Sequence, residues 1–531
     1  MSLSSIRGGR WLPAALVVTA VCVAAPPLAA DRRQARRQPG AQEAKEAPPV
    51  EAEPIERIGV DQLIDVTVLR SPGLARARTS AGIARAEERA VRGRDDWQIQ
   101  LAIDGTRVTR DRVPGQPVQV TEQERIGGSA ALIRDLPTGG QLRVEATAAR
   151  SRETSLVENL AGSGAEPQTT SSEVSQAAGR LVVNHSLLRG FGRPIARADR
   201  EQASLRTSAA TLRARVAAAE LTRDVVRGYW ELAHAALALE VKRSSLVAVR
   251  KLHKETEQVV REGGRPTGDL KLAEYTMAVR EEAQLRAQLA LEEQALELRK
   301  LAGLEIGGGA IALWPADLPG VGAETYSVGR LVKRGLSRNY ALAALALDDE
   351  DAKIDVRVAR DGVRPRLDFT VSAAATASGT NVDEAFRAVD QGANVDATAQ
   401  LVFSIDIGAN TARGRRDAAL LRHQDVRIER EELRREIASA IVMAVHQIRA
   451  AQKRTLVATK AIELAKASLT SERALFRVGR STSQQLFDRQ DDLDEARLSR
   501  VRAIADYHQS VAVLQSLSGD ILERYGIEVL D

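Results

Sequence analysis

The chain has 531 residues, 28% of them charged, and a formal net charge of +5 because 76 Lys and Arg stand against 71 Asp and Glu. Only 3% of the residues are aromatic, so the apolar content comes largely from Ala, Leu and Val. This composition favours long helices packed through small side chains over one large globular core. The sequence has no basic stripe interleaved with aromatic residues, which argues against a nucleic acid as a partner.

The N-terminus is typical of an exported protein. Arg7 and Arg10 precede an apolar run, and small residues before Asp31 offer a cleavage site, so we predict a signal peptide over residues 1–30. A single membrane anchor is the alternative, although the run is shorter than the roughly 20 apolar residues of a transmembrane helix. The one cysteine, Cys22, lies inside this segment, where lipid modification is another alternative.

The next segment, residues 31–58, is rich in Pro, Ala and charged residues and has no apolar period. We predict a disordered N-terminal arm there. No stretch after residue 30 is a continuous apolar run long enough to cross a bilayer as a helix, so any membrane crossing is expected to use β-strands.

From residue 61 onward the sequence repeats itself. Residues 61–103 align without a gap on 329–371, an offset of 268 positions, whereas 260–270 recurs at 476–486 with an offset of 216. The smaller second offset means that the first copy carries about fifty additional residues in its middle. We predict a first repeat at 59–303, a connector at 304–326, a second repeat at 327–520 and a C-terminal segment at 521–531.

Each repeat opens with the pattern of an amphipathic helix and then changes to the pattern of strands. Apolar residues at helical spacing predict helices at 61–93 and 329–361. Strict alternation of apolar and polar residues predicts strands at about 97–188 and 365–408, with one wet and one apolar face. A further alternating hairpin, near 128–150, belongs to the additional residues of the first repeat.

A very long helix follows the strands in each repeat, and a shorter helix returns from it. These helices are predicted at about 194–258 and 270–303 in the first repeat, and at about 414–476 and 486–519 in the second. Gly263 and Gly479 can take the left-handed backbone that ends a helix, and Pro266 cannot lie within one. Thr267 or Thr482 can start the next helix. The short helices of each repeat are expected to stack end to end beside the long one.

The chain resembles the TolC-like outer-membrane efflux proteins, also called outer membrane factors, over most of residues 61–520. Four stretches carry this resemblance: "VLRSPGLARAR", "LLRGFGRPIARA", "VVRGYWELAHAALALEVKRSSL" and "SERALFRVGRSTSQQLFDRQDDLDEAR". The resemblance implies a mainly α fold with β-strands, in which a homotrimer shares one outer-membrane β-barrel. A long periplasmic α-helical barrel would continue it.

The resemblance also implies a function. The chain would be the passive exit duct of a tripartite efflux or type I secretion system, working with a periplasmic adaptor (membrane fusion) protein and an inner-membrane pump or ABC exporter. Its cargo stays open between drug, metal, siderophore and protein. The alternatives are a periplasmic adaptor, which should have one hairpin and a lipoyl-like half-motif, and a coiled-coil spacer, which needs no strands.

Chemistry-bearing motifs are missing from the sequence. The six histidines lack the spacing of a metal site, and the Gly-rich stretch at 307–309 lacks the Lys-Ser/Thr of a phosphate loop. We therefore expect no enzyme activity, no cofactor and no metal.

The strands are expected to contact outer-membrane lipid with their apolar face. The residues predicted to face lipid are Trp97, Ile99, Leu101, Phe369 and Phe403. A few strands with open edges must close with strands from other chains. The additional hairpin of the first repeat either enlarges the barrel or folds over its outer mouth.

The two tip turns match the turns where, in the family, adaptor hairpins engage. The resemblance implies adaptor contacts at Gly263, Arg265, Gly479, Arg480, Ser481 and Thr482. The alternative is that these are turn residues without a docking role.

A gate at the tip is a further implication of the resemblance. The family's first-hairpin carboxylate falls on Asp269, but its aromatic hydroxyl partner falls on Phe476 and its arginine partner on Ser481. The lock must therefore use a different pair, and Arg480 could reach Asp269 instead.

The family's ring of acidic residues falls on Gln485 and Asp488, so one ring acid is kept. Three Asp488 carboxylates would converge on the axis of a trimer, where they attract cations. Alternatively, Asp488 faces outward and the register shifts to Asp491, Asp492 or Asp494.

Overall fold

The computed structural model describes residues 56–113, 116, 118–157, 168–264, 266–306, 313–317, 320–392 and 394–529. All of them belong to one compact unit, Glu53–Asp531. The predicted signal peptide and the predicted arm up to residue 55 lie outside the described residues. The arm was expected to reach residue 58, but Glu56–Ile58 forms a strand because it pairs with a strand of the connector.

The described residues form long helices and one large sheet. In chain order, the helices are α1 (Val60–Arg70), α2 (Pro72–Arg92), α3 (Arg193–Ala196), α4 (Ala198–Arg261), α5 (Thr267–Ala302), α6 (Val328–Arg338), α7 (Tyr340–Asp361), α8 (Val382–Gly392), α9 (Asn410–Arg477), α10 (Ser483–Ser518) and α11 (Ile521–Arg524). The strands are β1 (Glu56–Ile58), β2 (Gln98–Thr109), β3 (Val118–Leu136), β4 (Gly140–Val157), β5 (Gln168–Ser186), β6 (Leu313–Pro315), β7 (Arg366–Gly379) and β8 (Asn394–Ser404).

The predicted pairs of long and returning helices are confirmed. Helices α4 and α9 have 64 and 68 residues, and each is followed by a return helix, α5 or α10, of 36 residues. At 1.5 Å per residue the long helices extend about 100 Å. No helix in the described part of the chain is both long and apolar enough to cross a membrane.

The opening helix of each repeat is broken in two, so the prediction of single helices at 61–93 and 329–361 was wrong. Ser71 has an extended backbone because Pro72 disfavours a helical residue before it. At the equivalent position of the second repeat, the Asn339 side chain accepts hydrogen bonds from two backbone N–H groups of α7 and caps it. The break therefore recurs in both repeats through different chemistry.

The return helices end where the opening helices break, as the end-to-end stacking prediction required. Gly303 and Gly519 have φ of +71° and +77°. A Cβ on Gly303 would lie 2.5 Å from the carbonyl oxygen of Arg70, and one on Gly519 would lie 2.6 Å from that of Arg338. Both junctions thus require glycine for backbone conformation and for space. Helix α2 therefore continues α5, and α7 continues α10, whereas the whole opening helices had been predicted to do so.

Six strands form one antiparallel sheet in the order β2-β3-β4-β5-β7-β8. The additional residues of the first repeat supply the β3–β4 hairpin, which lies inside the sheet and enlarges it. Two features differ from the expected strands at 365–408. Helix α8 connects β7 to β8, and β8 ends at Ser404, so Ile405 and Ile407 lie beyond the sheet.

A smaller parallel pairing of β1 with β6 lies midway along the helices. There the Tyr229 hydroxyl donates to Asp317 Oδ2 at 2.7 Å, and the same carboxylate accepts from the backbone N–H of Val60 at 2.8 Å. The C-terminal helix α11 buries Ile521 and Leu522 against α2 and α4. These contacts tie the connector and the C-terminal segment to the middle of the helical region.

Candidate functional site

The two helix-turn-helix tips share one backbone geometry. Gly263 and Gly479 have φ of +77° and +74°. In each tip, the N–H of the following residue donates to the carbonyl five positions back at 2.9 Å, the hydrogen bond of a Schellman motif. A Cβ at either glycine would meet no atom within 4 Å. The backbone conformation, not lack of space, therefore demands glycine at both tips.

The side chains close the two tips differently. In the second tip, Thr482 Oγ1 accepts from the N–H of Gln485 at 3.3 Å, and Gln485 Oε1 accepts from the N–H of Thr482 at 3.1 Å. This capping box confirms Thr482 as the start of α10. In the first tip, Pro266 precedes α5 without a side-chain cap, and Thr267 is the first helical residue. The second return helix is therefore anchored more firmly.

The predicted adaptor contacts differ in their accessibility. Gly263, Gly479 and Arg480 are exposed, and Thr482 is exposed beside its cap. Ser481 is only 8% exposed, and its hydroxyl donates to the Glu472 carboxylate. Ser481 therefore takes part in the internal contacts of the turn, and its role as an adaptor contact stays a prediction. Arg265 lies outside the described residues.

An apolar cluster joins the two hairpins just behind the tips. It takes residues from all four hairpin helices: Val249, Leu252, Ala273, Ile462, Leu469, Leu486, Phe487 and Leu493. These side chains are at most 9% exposed. Helices α4, α5, α9 and α10 therefore share one core directly behind the two tips.

A groove of about 260 Å³ opens beside this cluster, between α4 and the second hairpin. Among its lining residues are Val247, Leu252, Phe476, Arg477 and Phe487. Val247 is 66% exposed, which is unusual for a valine beside an apolar core. This groove could not be predicted from the sequence because it is built from residues more than 200 positions apart.

Charged residues form a second link between the hairpins. Arg280 of α5, 12% exposed in its side chain, pairs with Asp491 of α10. One turn further along α10, Asp494 is buried and accepts from Gln490 Nε2 at 3.1 Å, with Arg497 Nη1 at 3.6 Å. Burial raises the pKa of the Asp494 carboxyl above its ordinary value.

The acids of α10 therefore divide between two sides of the helix. Asp494 is buried, whereas the Asp491 side chain pairs with Arg280 of the first hairpin and stays 52% exposed. Asp488 is exposed and accepts from Gln484 Nε2 at 2.8 Å, and Asp492 pairs with Arg489 at 2.7 Å on the exposed side. Asp488, Asp491 and Asp492 are exposed and remain the candidates for an acid ring, whereas Asp494 is buried.

The expected pair between Arg480 and Asp269 is not formed. Within the described parts of this chain, Arg480 makes no ion pair with Asp269, which lies in the first turn of α5. The Arg480 backbone N–H is held by the Schellman hydrogen bond of its own hairpin, and its side chain is exposed. Asp269 is half-buried, at a helix N-terminus that favours a negative charge.

At the opposite end of the molecule, the strand register separates apolar from polar residues across all six strands. One row across the sheet contains Ile99, Leu132, Val144, Leu181, Ala373 and Ala397. The adjacent row, whose side chains point to the other face, contains Gln100, Ala131, Glu145, Arg180, Ala374 and Asp396. Leu101, Phe369 and Phe403 share the apolar face with Ile99, and Trp97 lies at the start of β2.

The part of the chain that the structure describes contains no group of three or more His, Cys, Asp or Glu side chains that could hold a metal ion.

Comparison with protein-family models matches residues 331–520 to the outer membrane efflux protein family. A search of curated proteins finds no match. These residues are the second repeat, where the long helix and the tip motif lie.

Three solved structures show the extent of the fold similarity. The outer-membrane channel OprN has a TM-score of 0.63 and 16% identity, covering 87% of this chain and 90% of that one. The outer membrane protein VceC from Vibrio cholerae has a TM-score of 0.61 and 17% identity, covering 87% and 96%. The Campylobacter jejuni CmeC outer membrane channel has a TM-score of 0.63 and 11% identity, covering 93% and 98%. At such identities the likeness establishes the fold.

Proposed function

We propose that the chain, whose second repeat matches the outer membrane efflux protein family, is the outer-membrane exit duct of a tripartite efflux or type I secretion system. The observation that carries this proposal is the sheet with one apolar and one polar face, joined directly to helical hairpins about 100 Å long. Such a sheet suits a wall between lipid and water, and the hairpins suit a conduit that crosses the periplasm.

The sheet would become a barrel by pairing with other copies of the chain. Strands β2 and β8 lie at its two edges, and their outer sides have no strand partner among the described residues. Unpaired backbone N–H and C=O groups cost several kcal/mol each in hydrocarbon. Three copies with six strands each would close a barrel of eighteen strands, with the β3–β4 hairpins widening it.

The apolar face of this barrel would contact lipid, with Trp97, Ile99, Leu101, Phe369 and Phe403 on it. Ile99, Leu101 and Phe403 are 76%, 74% and 59% exposed in the single chain, which is more apolar exposure than a face against water tolerates. The polar face would line an aqueous lumen. These placements put the sheet in the outer membrane and the helical hairpins in the periplasm.

The tips would engage a periplasmic adaptor protein that connects the duct to an inner-membrane pump or ABC exporter. The exposed backbone at Gly263 and Gly479, together with the side chains of Arg480 and Thr482, forms the end surface of each hairpin pair. The groove between α4 and the second hairpin offers apolar surface beside the basic residue Arg477. An adaptor helix with an apolar stripe and acidic flanks fits this surface.

The same tips would carry a gate. In a trimer, three Asp488 carboxylates at the narrow end of the tunnel would concentrate cations and oppose anions. The Arg280–Asp491 pair and the shared apolar cluster hold the hairpins together in the chain as described. Opening would require these contacts between hairpins to rearrange.

A purified sample in mild detergent tests the proposal directly. We expect a trimer that dissociates on heating, and discrete conductance steps when it is added to a planar lipid bilayer. A monomer that is stable in detergent, together with bilayers that stay non-conducting, would contradict the duct. A monomer that binds to adaptor or pump components without conducting would instead favour the adaptor or spacer alternatives.

A further inference from the structure

A strongly basic cleft lies where the helices meet the sheet. Five arginines from α2, α7, α3 and the start of α4 line a cavity of about 550 Å³: Arg92, Arg193, Arg197, Arg200 and Arg357. Two glutamates also line the cavity, which leaves an excess of three positive charges.

Three of the five arginines are compensated by acids. The pairs are Arg92 with Glu88, Arg200 with Asp95, and Arg357 with Glu201. Arg193 and Arg197 make no ion pair with any residue of the described ranges, and both are exposed. Two guanidinium groups, four residues apart around a turn, are therefore available to one anion.

The surroundings of the cleft mark it as the level of a membrane interface. Trp97 and Phe191, 46% and 49% exposed, lie at the helix-proximal end of the sheet within a few residues of the cleft. The guanidinium carbon of Arg134 lies 5.1 Å from the ring centre of Trp97, and the His185 ring meets Phe191 edge-on at 5.7 Å. Aromatic rings beside cationic side chains are typical of the headgroup layer of a bilayer.

We propose that this cleft binds the phosphate of a phospholipid headgroup in the periplasmic leaflet of the outer membrane, an inference that rests on the proposed function above. A guanidinium donates two parallel hydrogen bonds to phosphate oxygens, and two unpaired guanidiniums can hold one phosphate from two sides. The lipid tails would run from the cleft past Trp97 and Phe191 along the apolar face of the sheet. The bound lipid would fix the height of the duct in the membrane.

The test compares two double variants of the full chain in uncharged detergent. Arg193→Gln/Arg197→Gln removes the two uncompensated charges of the cleft. Arg76→Gln/Arg85→Gln is the matched control, because both arginines are exposed on α2, lie outside the cleft and form no ion pair in the described residues. The probe is dioctanoyl phosphatidylglycerol, titrated and counted by native mass spectrometry, with inorganic phosphate and dioctanoyl glycerol as competitors.

We expect the wild-type protein and the control to bind the probe within twofold of each other, and the cleft variant to bind it at least tenfold more weakly, since each lost charge-assisted hydrogen bond is worth about tenfold. Dioctanoyl glycerol should not compete. Equal binding by the cleft variant and the wild type would overturn the proposal. Competition by inorganic phosphate at the same concentration as the lipid would also overturn it, in favour of a free anion.

Failure of this proposal is separable from failure of the duct. Planar-bilayer conductance of the same preparations reports on the channel without reference to bound lipid. If the cleft variant conducts but no longer binds the probe, the result supports the lipid site. If the wild-type protein conducts but does not bind the probe, the lipid site is overturned while the duct proposal stands.

Discussion

The two tips have the same backbone conformation but differ in the side-chain contacts that hold the start of the return helix. Both end a long helix with a left-handed glycine and a Schellman hydrogen bond. The second tip adds the Thr482 capping box and the buried Ser481–Glu472 contact, whereas the first has Pro266 and no side-chain cap. Glycine sets the path of the turn, and the neighbouring side chains decide how firmly the return helix starts.

This difference bears on which hairpin moves when the duct opens. The second hairpin holds its own turn together and also reaches across to Arg280 of the first hairpin with Asp491. The first tip has no side-chain cap at the N-terminus of its return helix. We therefore expect the first tip to be the more mobile of the two on the time scale of hydrogen exchange.

The largest effect is expected when a bulky side chain replaces a glycine of the tip turns. Valine at Gly479, where φ is +74°, meets no neighbouring atom but costs more than the roughly 1–2 kcal/mol of a left-handed residue, because it is β-branched. The turn should rearrange and transport in cells should be lost, while trimer formation and delivery to the outer membrane persist.

Two further valine variants test whether the effect is specific to the left-handed glycines of the tips. Gly263→Val imposes the same strain on the first tip, and Gly268→Val adds the same side chain one turn later, where φ is not left-handed and no atom lies within 4 Å. We expect loss of transport with the first and near wild-type transport with the second. Normal transport in both tip variants would remove the docking role from these turns.

A several-fold change is expected from the acid ring. Asp488→Asn should lower cation selectivity and the block by divalent cations in single-channel recordings, because it removes the charges that converge in a trimer. Asp491→Asn is the matched change on the side that faces Arg280. If Asp491→Asn alters selectivity while Asp488→Asn does not, the ring assignment is wrong.

A smaller effect, about 1 kcal/mol, should distinguish the caps. Thr482→Ala removes the side chain that accepts from the N–H of Gln485, and loss of such a cap costs about 1 kcal/mol. Thr267→Ala changes the first residue of α5, which follows the N-cap position Pro266 and is not a cap, and should cost a few tenths of a kcal/mol at most. Hydrogen exchange in the first turns of α5 and α10 measures both. Equal loss of protection at the two tips would contradict the comparison.

The smallest effect is a pH dependence at the interface between the hairpins. Burial raises the pKa of Asp494, so the folded protein binds this proton more tightly than the unfolded chain does. Stability is therefore lost as the pH rises from the ordinary carboxyl range through the raised pKa. Asp494→Asn should remove this loss, so the difference in unfolding temperature between the variant and the wild type should shift in favour of the variant as the pH rises above the ordinary carboxyl range. Asp492→Asn, on the exposed side, should show the same dependence of unfolding temperature on pH as the wild type. If the wild type and both variants show parallel curves, Asp494 is not the source of the pH dependence.

The succession of elements could be predicted from the sequence with few errors. The long helices, their returns, the left-handed glycines and the alternating strands each have a local cause in periodicity or backbone chemistry. The break at Ser71 was readable from Pro72, and its omission was an error of interpretation. The break at Asn339 carries no proline, and a capping asparagine within an apolar helical pattern is a weaker signal.

Other features could not be read from the chain. Helix α8 was missed because its residues lie between two strands and follow no strand pattern. The groove beside Val247 and the pairing of Arg280 with Asp491 join residues that are more than 200 positions apart. Ser481 was expected at the surface, and its burial depends on Glu472 in the preceding helix turning toward it.

The sequence by itself determined the duplicated plan, the lengths of the helices and the positions of the turns, because these follow from local conformational preferences and from the period of apolar residues. Tertiary structure alone decided that the additional hairpin enters the sheet, that Asp494 is buried while Asp488 is exposed, and that five arginines meet in one cleft. The length of a helix does not determine which of its faces packs against the rest of the protein. In the same way, the sequence of a hairpin does not determine which strands it will pair with. Packing against distant elements determines both, because only certain arrangements bury the apolar side chains and pair the backbone N–H and C=O groups.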